Sequence, residues 1–105
     1  MKVVLCNCPP AAAEGIARSL VERRLAACVN LIGPVRSVFW WDGAVCDEAE
    51  MTLVIKVRDQ GVPPMREALV ELHPYEVPEV IVLPVDVAAS HIPYVEWVRA
   101  CRPGR

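Results

Sequence analysis

The dipeptide Asp42-Gly43 constrains the fold of this chain more than any other feature, because it closes one long extended run and opens another. Asp-Gly suits the positive backbone angles of a type I′ hairpin turn. Ahead of it, Cys28 to Trp41 reads as extended, with one interruption at Gly33-Pro34 and a finish on Phe39-Trp40-Trp41. Behind it, Met51 to Val57 reads as the return strand, with Met51, Leu53, Ile55 and Val57 on one face by period two. The segment from Cys46 to Glu50 is polar enough to form an exposed hairpin end. Three consecutive aromatics make both faces of the outgoing strand apolar.

The remaining elements flank this hairpin. Val3 to Cys6 is a short apolar run that turns at Asn7 and Pro9, which suits a buried strand. Pro10 fits the first turn of a helix. From Ala11 to about Ala27 the spacing predicts that helix, with Ala13, Ile16, Ala17, Leu20 and Val21 on one side. Glu14, Arg18 and Glu22 lie on the other side at i, i+4 spacing. Pro63-Pro64 opens a second helix with the stripe Met65, Ala68, Leu69 and Leu72. Val80 to Leu83 reads as a compact buried strand stopped by Pro84. Ser90 to Cys101 predicts a terminal helix with Tyr94, Trp97, Val98 and Cys101 on its apolar face.

The order is strand, helix, strand, strand, helix, strand and a last helix. Two strand–helix–strand crossovers joined by a hairpin define a ferredoxin-like α+β fold, βαββαβ with a C-terminal helix. Right-handed crossovers place the first and third strands in the centre and the second and fourth at the edges. The aromatic strand is then a long apolar edge, a liability that proteins blunt or pair. The expectation is that Phe39, Trp40 and Trp41 are buried against other subunits. The alternative is that Trp97 on the terminal helix covers them.

At 105 residues the chain is read as a single domain spanning 1–105, and 54% hydrophobic residues exceed the usual share. A subunit interface is a natural place for the excess. The formal charge of -2 makes nucleic acid a poor partner, and Arg99, Arg102 and Arg105 read as a solvated basic tail. No run reaches the roughly 18 apolar residues of a membrane span. Five cysteines without framework spacing (Cys6, Cys8, Cys28, Cys46 and Cys101) suggest a reducing, cytoplasmic setting.

Polar chemistry concentrates in His73-Pro74-Tyr75-Glu76-Val77-Pro78-Glu79, where the prolines turn a helix exit into a strand entry. Cys6-x-Cys8 with His73 is the leading metal constellation, since thiolate and imidazole suit copper or zinc. The plainer reading makes the thiols small core hydrophobes and His73 a partner of helix-end carbonyls. Cys28 is most simply core. Glu76 and Glu79 are either an acid–base pair or solvated carboxylates. Lys56 pairs with Glu50 or Glu76, or binds an anion in a cleft. No nucleophile with its base and oxyanion site is visible, so no enzyme is expected.

Several ordered fragments together resemble the CutA family of divalent-cation tolerance proteins. They are Leu20-Val21-Glu22-x-x-Leu25-Ala26-Ala27-Cys28-Val29-Asn30, Val35-x-Ser37-x-x-x-Trp41-x-Gly43, Leu53-x-Ile55-Lys56, Leu72 to Glu79, and Tyr94-x-x-Trp97. The resemblance implies a non-enzymatic homotrimer with hairpins paired between neighbours and the sheets packed inside. It also implies an association with copper or other divalent metals. Carried over residue by residue, the family's copper ligands fall on Cys6 and His73, with Cys8 and Cys28 as lesser candidates. A second histidine found in some members is Leu72 here, which leaves the site one ligand poorer. The likeness to PII signalling trimers implies an alternative: a small anionic ligand or a partner protein in an inter-subunit cleft, held by Trp41, Lys56, Tyr75 and Glu76.

Overall fold

The computed structural model describes residues 1–104; Arg105, counted above with the basic tail, lies outside them. The elements are β1 (Lys2–Cys8), α1 (Pro10–Glu22), β2 (Cys28–Trp41), β3 (Ala44–Val57), α2 (Val62–Leu72), β4 (Ile81–Pro84) and α3 (Ile92–Ala100), with one 3-10 turn at Asp59–Gly61. They form one antiparallel sheet in the order β2-β3-β1-β4, so the expected ferredoxin-like arrangement is observed.

Period two sorts the sheet into a covered and an open face. Val4, Cys6 and Cys8 of β1 and Leu53, Ile55 and Val57 of β3 are buried with Ile16 and Leu20 of α1 and Met65 and Leu69 of α2. The other face carries Val3, Leu5 and Val54 half-buried, and Ile81 and Leu83 exposed. β4 is therefore an exposed edge strand of the subunit, not the buried strand its composition suggests.

Other boundaries also differ from expectation. β1 runs on to Cys8, because Asn7 and Cys8 still pair with Thr52 and Met51 of β3. That places Cys8 on the same face as Cys6. α1 stops at Glu22, five residues short of the predicted end. There Arg24 turns left-handed (φ 56°), the Leu25 N–H reaches the Leu20 carbonyl, and the Arg24 N–H reaches that of Val21. This is a Schellman stop built on arginine instead of glycine, and its hydrophobic contact is Leu25 against the core that holds Leu20.

The hairpin is longer than its composition suggests, because Cys46 to Glu50 belong to β3. Asp42 (φ 50°) and Gly43 (φ 76°) make the expected turn. A bulge at Gly33-Pro34, whose peptide is cis, sets two residues of β2 against Met51 alone. Pro34 is tolerated because β2 is an edge strand. Beyond the bulge the odd residues Val35, Ser37, Phe39 and Trp41 share a face with Glu48 and Glu50, while Trp40 turns the other way beside Val45.

Gly33 holds φ +140°, and an added Cβ would stand 2.9 Å from the Val35 nitrogen and 3.0 Å from Met51 Sδ. Gly33→Ala is expected to cost roughly 1–3 kcal/mol through backbone strain. Urea unfolding checks this: the midpoint falls at an unchanged slope, and an unchanged midpoint would refute the strain assignment.

The terminal helix does not cover the aromatic hairpin. α3 buries Val95 and Val98 against Met1, Ala27, Val85 and Val87, while Tyr94 and Trp97 stack on each other facing outward. The predicted stripe led by Tyr94 and Trp97 was thus one position out of phase with the packed face; of its members only Val98 is fully buried. Trp40 remains 73% exposed within the subunit.

Candidate functional site

The proline-bounded stretch after α2 crosses the end of β1 and reaches the open face of the sheet. α2 ends at Leu72, and His73 leaves it in extended geometry with its N–H on the Leu69 carbonyl. The His73 ring is buried, 6% exposed, and it contacts β1 instead of the helix-end carbonyls. Its Nε2 lies 2.8 Å from the Asn7 carbonyl oxygen, and its Nδ1 accepts the Tyr75 N–H at 3.1 Å. The Tyr75 ring stands 4.7 Å from the imidazole, and its hydroxyl donates to Glu50 at 2.9 Å. Asn7 is fixed in turn from β3, its side-chain oxygen accepting the Thr52 hydroxyl at 2.7 Å.

Between this stretch and the hairpin runs a groove of about 830 Å³. Phe39, Trp41 and Tyr75 give it aromatic walls, and Glu48, Glu50, Glu76 and Glu79 give it four carboxylates. Among the described residues no lysine, arginine or histidine lines it. Of the expected cleft residues, Trp41, Tyr75 and Glu76 are brought together here, and Lys56 is not. Lys56 sits opposite Cys28 at the far end of the hairpin, where its ammonium donates to the Asn30 side chain instead of pairing with Glu50 or Glu76. Glu48, Glu50 and Glu79 were missed as groove residues, although period two already places Glu48 and Glu50 on one face.

Glu50 is a 6% exposed carboxylate held by the Tyr75 hydroxyl. The Tyr75 phenol is pushed up to about 12, by burial first and then by its bond to Glu50. Tyr75→Phe leaves that carboxylate short of a donor and is expected to cost about 1–3 kcal/mol. Thermal unfolding of the variant checks this, and no loss would show the bond to be without consequence.

Cys6 and Cys8 are fully buried among core side chains. Burial, then Cys8, Glu79 and Glu50, push the Cys6 thiol up to about 12, and burial followed by Glu50 raises that of Cys8. A thiol kept protonated is a poor ligand. Cys28 is half-buried beside Asn30 at the start of β2, so it is not the core residue expected. Both His73 nitrogens are engaged, and among the described residues no three His, Cys, Asp or Glu side chains are grouped to hold a metal ion. Within one subunit the residues present do not fit a resident copper or zinc ion.

An antiparallel β2-β3-β1-β4 sheet, covered on one face by two crossover helices and extended by a long hairpin, defines a ferredoxin-like α+β subunit. Residues 2–101 match the family described as CutA1 divalent ion tolerance protein, and the chain belongs to that family. It is 45% identical to Protein CutA of Homo sapiens over 83% of its own length and 48% of the human protein's. It is 39% identical to the divalent-cation tolerance protein CutA of Thermus thermophilus over 93% of this chain and 94% of that one. The chain therefore spans about half the length of its mammalian relatives and nearly all of the Thermus thermophilus one. Among solved structures, the PII-like protein CutA of Nostoc sp. in apo form superposes with a TM-score of 0.90 at 50% identity, covering 93% of each chain. The Cut A1 protein of Thermus thermophilus gives 0.89 at 39% identity, covering 96% of this chain and 98% of that one. Among the described residues no helix is long and apolar enough to cross a membrane.

Proposed function

We propose that this chain serves divalent-cation tolerance as a non-enzymatic cytoplasmic homotrimer, with the hairpin of each subunit sunk against its neighbours. The observation that carries this reading is unpartnered apolar surface on both sides of the sheet: Val38, Trp40 and Val45 on one face of the hairpin, and Trp41, Ile32, Ile81 and Leu83 on the open face. Monomeric proteins seldom expose so many large apolar side chains on both faces, and both sheet edges, β2 and β4, are free to pair. Light scattering at micromolar concentration tests it. A mass three times the 11.6 kDa of the chain supports the trimer, and a single-chain mass overturns it. A divalent metal, copper included, is held in this reading by donors brought together from more than one subunit. Zinc or copper titration of the intact oligomer, with Cys6→Ser and His73→Asn alongside, tests whether those two residues take part.

The groove favours a second reading, in which a PII-like trimer takes a small ligand against Trp41, Tyr75 and Glu76. Four carboxylates, with no basic lining residue among the described residues, make a neutral or cationic ligand a better match than an anion. A thermal-shift screen separates these: stabilisation by nucleotides but not by amines would reverse the charge assignment.

A further inference from the structure

We propose that His73 is a positioning residue, locked as the Nε2-protonated tautomer, and that it is not a metal ligand in this chain. A backbone carbonyl only accepts and a backbone N–H only donates. The Asn7 carbonyl at 2.8 Å therefore requires the proton on Nε2, and the Tyr75 N–H at 3.1 Å requires the lone pair of Nδ1. Neither nitrogen has an in-plane lone pair left for a metal. A metal at Nδ1 orphans the Tyr75 amide, and a metal at Nε2 displaces the Nε2 proton, which leaves the Asn7 carbonyl without its donor and, if the proton moves to Nδ1, sets it against the Tyr75 N–H.

What the imidazole does instead is join three segments. It fastens the loop after α2 to the end of β1, and through Tyr75 and Glu50 that loop is fastened to β3. The loop so held carries Tyr75 and Glu76, one wall of the groove. His73 thereby shapes the groove without lining it.

The test uses the intact 15N-labelled protein, with the exposed His91 as internal control. Long-range proton–nitrogen spectra of the two histidine rings are expected to show the Nε2–H pattern for His73. One equivalent of Zn²⁺ should leave that pattern unchanged even where the His91 signals move. The two bonds can also be separated. Asparagine at 73 keeps an acceptor for the N–H two residues on, as in an Asx turn, but cannot reach Asn7. Tyr75 amide exchange should accelerate about tenfold in His73→Leu, as a lost hydrogen bond implies, and far less in His73→Asn. Stoichiometric Zn²⁺ shifting the ring nitrogens of His73 would overturn the proposal. So would loss of saturable zinc binding in His73→Asn with the Tyr75 amide still protected. Should His73→Leu fail to fold, the parent spectra with and without zinc decide the matter alone.

Discussion

Trp40→Asp is expected to convert the proposed trimer into single chains while leaving the subunit fold intact. Trp40 lies beside Val45 on the hairpin, 73% exposed, and touches no buried cluster of its own subunit. Its loss therefore costs the isolated subunit little. In the assembly, burial of an indole contributes about 3 kcal/mol per copy at the usual coefficient for apolar area. Dissociation into three chains counts that term three times, and each aspartate adds the cost of burying a charge. The total, on the order of 10 kcal/mol, corresponds to roughly seven decades in the dissociation constant. Sedimentation at micromolar concentration should show one chain in the variant, with far-ultraviolet circular dichroism unchanged. An intact oligomer would place the interface elsewhere on the molecule.

The second large effect is alkaline. Cys6 is fully buried, and its thiol is raised from 9.0 to about 12 by burial, with Cys8, Glu79 and Glu50 adding to it. The neutral thiol is the form the fold favours. Below pH 9 that preference contributes in full, since the thiol is protonated in both states. Above it the unfolded chain ionises while the folded thiol keeps its proton, and stability falls by about 1.4 kcal/mol per pH unit. The loss is complete only at the folded value, at most about 4 kcal/mol. Tyr75 shifts in the same direction, but its half-exposed phenol is screened by solvent and adds less. Urea midpoints at about pH 8 and about pH 10.5 should differ by about 2 kcal/mol in the parent and clearly less in Cys6→Ala. Equal pH slopes in the two proteins would show that the buried thiol is not the cause.

The architecture was legible in the sequence because its signals are local. Asp42-Gly43 encodes its turn, Pro10 and Pro63 open their helices, and the alternation from Met51 to Val57 fixes which side of β3 meets the core. What was not legible depends on partners distant in sequence. Cys8 stays in β1 because β3 pairs with it that far, whatever the turn preference of Asn7. β4 has the composition of a buried strand because its apolar side chains belong to the open face and the free edge. Tyr94 and Trp97 looked like the packed stripe of α3, yet it is Val95 and Val98 that pack with Met1 and Val85.

The site was legible as residue types and not as bonding. His73 beside a cysteine strand end suggests a ligand pair, and the fold does bring His73 to β1. Only the folded structure shows that its nitrogens are committed to Asn7 and Tyr75, and that Cys6 points into the helix-covered core. Lys56 and Glu76 were grouped by charge although twelve residues of paired hairpin separate Lys56 from the turn that the groove approaches. The bulge at Gly33-Pro34, which switches the parity of β2 and brings Phe39 and Trp41 round to Glu48 and Glu50, is what made the groove hard to foresee.

The central claim is that the apolar hairpin and the open sheet face form the interface of the proposed trimer. Multi-angle light scattering of the parent chain, diluted through the micromolar range, tests that claim most directly. The expected result is a constant mass three times the 11.6 kDa of the chain. A single-chain mass over the same range would contradict it.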